Sequence, residues 1–236
     1  MMIRHFIKLE LRKINIRPYF YAGIIIIACM IGFLYTFAMI AYVGGDQDAV
    51  EFSSYHNIWV LTNALQMVAY SVLTAVMFST FLLRDYTGKN AILLFSYPIE
   101  RKKIVQTKVF LVMSFVTLFM ISGTVLIYAV FILTEQVFSL VPDELSIGLG
   151  INVLFDTLLC LFLSLAIGII SVRIGFEKKS VQRTIVAGII LCSCAANMIA
   201  TMTYSYFPTI VMFLVAIFIA FISYKEIVNK IEKAEV

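Results

Sequence analysis

Six apolar runs dominate the chain, and polar residues fall mainly between them. The runs cover about Tyr19 to Tyr42, Ile58 to Leu83, Val109 to Leu133, Ile147 to Val172, Thr184 to Thr203 and Thr209 to Tyr224. A hydrocarbon core about 30 Å thick takes some twenty helical residues to cross. Inside it, every backbone N–H and C=O must be satisfied along its own segment. The pattern therefore predicts six transmembrane helices. Interfacial aromatics support the limits, with Tyr19, Tyr21 and Tyr42 at the two ends of the first span and Trp59 at the start of the second. Ahead of the spans, Met1 to Arg17 sets Ile3, Phe6, Ile7, Leu11 and Ile14 near one helical face and Arg4, Lys8 and Arg12 on another. That spacing predicts an amphipathic interfacial helix, an elbow leading into the first span.

Charge then orients the bundle. The eighteen Lys and Arg fall as five before the first span, six between spans two and three, four between spans four and five, and three in the tail. The opposite connections hold no cation and carry Asp46, Asp48, Glu51, Glu135, Asp143 and Glu144. Basic connections stay on the cytoplasmic side, so both termini are expected inside the cell membrane. The connection Tyr204 to Pro208 is too short for an outer domain. Composition agrees with this layout: of 236 residues, 62% are hydrophobic and 14% charged, with a mean hydropathy of +0.99. Such a chain cannot clothe a soluble core in polar residues. The expectation is one all-α integral membrane domain over residues 1–236. Its net charge of +4 orients it and meets anionic lipid headgroups, with no nucleic acid implied. Cys29, Cys160, Cys192 and Cys194 all fall within spans and read as small packing residues. The first apolar run has the length of a span and lacks a small-residue cleavage site, so it does not read as a removable signal peptide.

Catalytic patterns are missing from the sequence. Gly88-Lys89 lacks the earlier glycine and the following Ser or Thr of a phosphate-binding loop. His5 and His56 lie outside the apolar runs and form no zinc pattern, and there is no Gly-x-Ser-x-Gly elbow. The chain is expected to be no enzyme and to hold no cofactor or metal of its own. One charge lies within a span: Asp156, about 13 Å below the outer end of the fourth. No Lys or Arg occurs in a span to pair with it, which leaves Asn152, Asn63, Gln66 and Asn197 as neutral candidates. Asp156 thus reads either as a structural hydrogen-bonding residue or as a cargo or proton site. Around it, Gly148, Asn152, Asp156, Cys160, Ser164 and Gly168 recur every four residues, as do Gly188, Cys192, Ala196 and Ala200 on the fifth span. Small residues in rows let membrane helices approach closely, although a four-residue row drifts about 40° per step around a helix.

The connection from Arg84 to Lys108 is both basic and amphipathic. Ala91 to Phe95 is an apolar patch without membrane depth to hide in, Gly88 permits a sharp entry, and Pro98 suits the first turn of the third helix. This stretch resembles the permease subunits of type-2 ABC exporters, where an acid, a glycine, a Leu-rich short helix, Pro-[Ile/Val]-x-Arg and a distal Lys follow the second of six spans. The matching residues are Asp85, Gly88, Leu93, Leu94, Pro98, Ile99, Arg101 and Lys108. The resemblance implies a cytosolic coupling helix over Ile92 to Arg101, including Phe95 and flanked by Lys102. It also implies two separate ATPase subunits that hold ATP and Mg, and a second permease, identical or related. The short Tyr204 to Pro208 connection departs from polysaccharide and lipid exporters, which carry re-entrant helices there. It is similar instead to compact bacterial permeases that export, or give immunity to, amphipathic peptides such as lantibiotics and small toxins. Two other functions stay open: a stand-alone proton-coupled transporter working through Asp156, and a non-transporting sensor or scaffold.

Overall fold

A computed structural model describes residues 15–43, 54–86, 101–137, 141, 147–178 and 180–232. They form α1 (Arg17–Val43), α2 (Tyr55–Phe81), α3 (Arg101–Glu135), α4 (Ile147–Lys178), α5 (Val181–Ala200) and α6 (Phe207–Glu232), with short 3₁₀ turns at Leu83–Tyr86 and Thr201–Thr203. All six α-helices are long and apolar enough to cross a membrane, so the fold is an all-α multi-pass bundle. Pro18 and Pro208 sit in the first turns of α1 and α6, where a missing N–H costs no intrahelical bond. Most of the expected elbow over Met1 to Arg17 and the expected coupling residues 87–100 lie outside the described residues.

The helices outrun the apolar segments that announced them. α3 starts at Arg101 where the apolar run begins at Val109, and α4 continues past Val172 to Lys178. The expected inner connection 173–183 is therefore largely helical and closes as a tight hairpin, with Ser180 N–H donating to Gly175 O at 3.2 Å. Hydropathy marks where a helix leaves lipid, whereas its backbone hydrogen bonds continue into water. Charged pairs hold the overhang: Arg173 Nε donates to Glu226 Oε2 at 2.5 Å, tying α4 to α6.

α2 and α4 share the centre of the bundle: α2 packs against α1, α3, α4 and α5, and α4 against α2, α3, α5 and α6. Two-thirds of the apolar window is buried in both α2 and α4 (67% each), against 17% in α6, so α6 is peripheral. Lipid offers apolar side chains the same solvent as the interior, so polar and small residues are the ones with reason to turn inward. The two buried helices carry them: Thr62, Asn63, Gln66, Ser71 and Thr74 on α2, and Asp156, Thr157, Ser164 and Ser171 on α4. Large apolar residues such as Phe110, Leu118 and Phe218 stay on the outside.

Close approach occurs where the side chain is smallest. A Cβ added at Gly168 of α4 would collide with Thr74 of α2, and one at Gly188 of α5 would lie 2.8 Å from the Cβ of Ala75. Of the row expected on α4, Asp156, Cys160, Ser164 and Gly168 are buried, whereas Gly148 and Asn152 are exposed. On α5, burial follows Gly188 and Cys192 and then slips to Ala195 and Ile199, in place of Ala196 and Ala200. The drift of a four-residue row around a 3.6-residue turn accounts for both departures.

Candidate functional site

Two polar constellations stand out, one at each end of the bundle. The first joins the roots of the segment between α2 and α3. Lys108, in the second turn of α3, is 1% exposed. Its Nζ donates to the carbonyl oxygen of Phe81 in the last turn of α2 at 2.8 Å, and makes an ion pair with Asp85 Oδ2. A cation suits that position because the unsatisfied carbonyls of a helix C-terminus carry partial negative charge. A buried ammonium also needs a carboxylate to offset its desolvation. Asp85 is held by the Leu83–Tyr86 turn, whose Leu83 and Tyr86 are buried. Aromatic contacts brace the same end: Tyr19 meets Phe81 at 5.0 Å between ring centroids, and Tyr86 meets Phe176 at 6.1 Å.

Asp85 and Lys108 come from the two ends of the segment singled out in the sequence, yet their spacing alone did not announce that they touch. Lys102 is exposed on the first turn of α3, next to Arg101 at its start. Gly88, Ile92, Leu93, Leu94, Phe95, Pro98 and Ile99 lie outside the described residues.

The second constellation surrounds Asp156. It is 1% exposed, and neither carboxylate oxygen has a hydrogen-bond partner of good geometry among the described residues. The side chains that act on it are His56, from the first turn of α2, and the Tyr206 hydroxyl, from the link before α6. Burial and the neighbouring Asp156 carboxylate push the Tyr206 phenol up to about 12. The Tyr206 ring lies 6.2 Å from the rings of both His56 and Phe155.

The neutral candidates have other engagements. Gln66 Nε2 donates to Thr124 Oγ1 at 3.1 Å and to Met120 O at 3.2 Å, joining α2 to α3. Asn63 Oδ1 accepts from the Tyr128 hydroxyl at 3.3 Å. Asn197 is exposed and donates to Ser193 O of its own helix at 2.9 Å, and Asn152 is exposed. The structure thus sets Asp156 beside His56 and Tyr206, two residues the sequence did not bring to it. His56 precedes the apolar run, but α2 starts at Tyr55 and carries it into the bundle.

Six apolar helices, with α2 and α4 at their centre, define a multi-pass membrane protein. The chain belongs to the ABC-2 transporter family: the family described as ABC-2 family transporter protein matches residues 6–181, which takes in α1 to α4. It is also similar to the protein given as uncharacterized protein YcbO of Bacillus subtilis (strain 168), with 22% identity over 187 residues, 78% of this chain and 80% of that protein. No solved structure matches the chain. Membership makes it a membrane-spanning permease subunit of an ABC transporter, the non-catalytic component, and implies ABC ATPase partners.

Proposed function

We propose that the chain is the permease of a bacterial exporter that moves an amphipathic or hydrophobic cargo, a peptide above all, outward across the cell membrane. Two cytosolic ATPase subunits, holding ATP and Mg, drive it through Ile92 to Arg101 and Lys102, and a second permease, identical or related, completes the pathway. Both termini lie in the cytoplasm, on the side of the basic connections.

The observation that carries this reading is the buried Lys108 bond to both Asp85 and Phe81. It ties the end of α2 to the start of α3, so that a push delivered at Arg101 and Lys102 is passed to α2 directly. Since α2 touches α1, α3, α4 and α5, its displacement carries those helices with it, as a rigid-body switch between inward and outward access requires. Support for an amphipathic cargo comes from the spans, whose membrane-depth charge is confined to Asp156, a poor counter for a strongly charged solute.

The test is ATP-driven export by the purified complex in proteoliposomes. Arg101→Glu with Lys102→Glu should weaken ATPase binding and reduce export in parallel. Export by the chain alone, powered by a pH gradient with no ATPase present, would overturn the proposal.

A further inference from the structure

His56, Trp59 and Asn63 are three and four residues apart on α2 and so share one face. The Trp59 ring packs 5.1 Å from that of Tyr128, whose hydroxyl meets Asn63. Among the described residues, Trp59 Nε1 and Asn63 Nδ2 are buried without a hydrogen-bond partner of good geometry, as are both oxygens of Asp156. The titratable groups that interact with Asp156 are His56 of α2, Tyr206 of the α5–α6 link, Tyr128 of α3 and Cys160 one turn along α4 itself. An orphaned carboxylate in an apolar bundle is costly, and an acid kept inside a membrane-spanning helix marks a functional site.

We propose that Asp156, His56 and Tyr206 form a proton-binding site that latches the outer end of the bundle. A proton is the ligand that neutralises a buried carboxylate without needing room beyond the group itself. His56, in the first turn of α2, is the side chain suited to relay it, because an imidazole ring nitrogen can accept a proton and donate it onward. A proton arriving from outside water is held by the His56 imidazole and passes to the Asp156 carboxylate, leaving both groups neutral. Before transfer, imidazolium and carboxylate attract across α2 and α4, with Tyr206 held against them. After it, that attraction is gone and the three elements are free to part. The outer end of the permease thereby answers to external pH, whatever its cargo.

The full chain in lipid nanodiscs tests this by infrared difference spectroscopy across a pH titration, a measurement that needs neither ATPase nor cargo and so stands or falls apart from the exporter proposal. The expected result is a protonated-carboxyl band that titrates with pH and is lost in Asp156→Asn. His56→Gln and Tyr206→Phe should each displace its midpoint. If Asp156→Asn does not fold, isotope-labelled aspartate in the wild type and in His56→Gln carries the assignment. A titration without a carboxyl band, or a midpoint unmoved in both His56→Gln and Tyr206→Phe, would overturn the proposal.

Discussion

Replacing Lys108 with Met removes one ammonium and unmakes at least two contacts. The Phe81 carbonyl loses a charge-assisted hydrogen bond, and Asp85 loses its buried counterion. Hydrogen bonds to charged groups contribute about 1.5–3 kcal/mol, and stripping one partner from a fully buried ion pair costs about 3–5 kcal/mol. The two figures overlap here, and Asp85 retains 15% of its side-chain exposure, so water takes back part of its charge. A net loss of about 2–3 kcal/mol follows, roughly a 30-fold to 150-fold shift toward the unfolded state. A double-mutant cycle with Asp85→Asn isolates the pair from the carbonyl bond. The assay is denaturant unfolding in mild-detergent micelles, followed by circular dichroism. A coupling energy of about 1–2 kcal/mol is expected, well above the roughly 0.5 kcal/mol scatter of independent sites. Additive single effects would refute the idea that this ion pair joins the two helix roots.

Packing and polar contacts deeper in the bundle give further expectations in the same unfolding assay. Gly168→Ala puts a methyl group against Thr74 and should cost about 1–3 kcal/mol as overpacking, with Thr74→Ala in the same chain recovering part of the loss; a neutral Gly168→Ala would deny the close α2–α4 contact. Gln66→Leu should cost only about 0.5–1.5 kcal/mol, because polar contacts between membrane helices are modest and Thr124 keeps its 2.9 Å bond to Met120 O. A loss above 3 kcal/mol for Gln66→Leu would place more of the α2–α3 contact on that residue than the hydrogen bonds allow.

The six spans were legible in the sequence because lipid imposes a length and forbids unsatisfied backbone. Their overhangs were not. Arg101 and Lys178 are helical, yet hydropathy ends the corresponding spans at Val109 and Val172. The α4 seam was readable from Asp156 to Gly168 because small residues recur there, but its outer members, Gly148 and Asn152, turn away as the row drifts. His56, Asp156 and Tyr206 are far apart in the chain and share no period, so only the packing of α2, α4 and the α5–α6 link brings them together. The Lys108–Asp85 pair had a signal that could have been used. An acid just past one span and a cation just ahead of the next flank a single connection, and antiparallel helices place those flanks side by side.

The most direct measurement is affinity purification of the intact chain from its native membranes in mild detergent, with nucleotide hydrolysis assayed on what copurifies. An exporter permease should bring with it an ATP-hydrolysing subunit in comparable amount, and Arg101→Glu with Lys102→Glu should cut that recovery by about tenfold, the equivalent of some 1.4 kcal/mol of binding. An intact chain that purifies with no nucleotide-hydrolysing partner, yet still moves cargo once reconstituted, would contradict a permease worked from outside its own sequence.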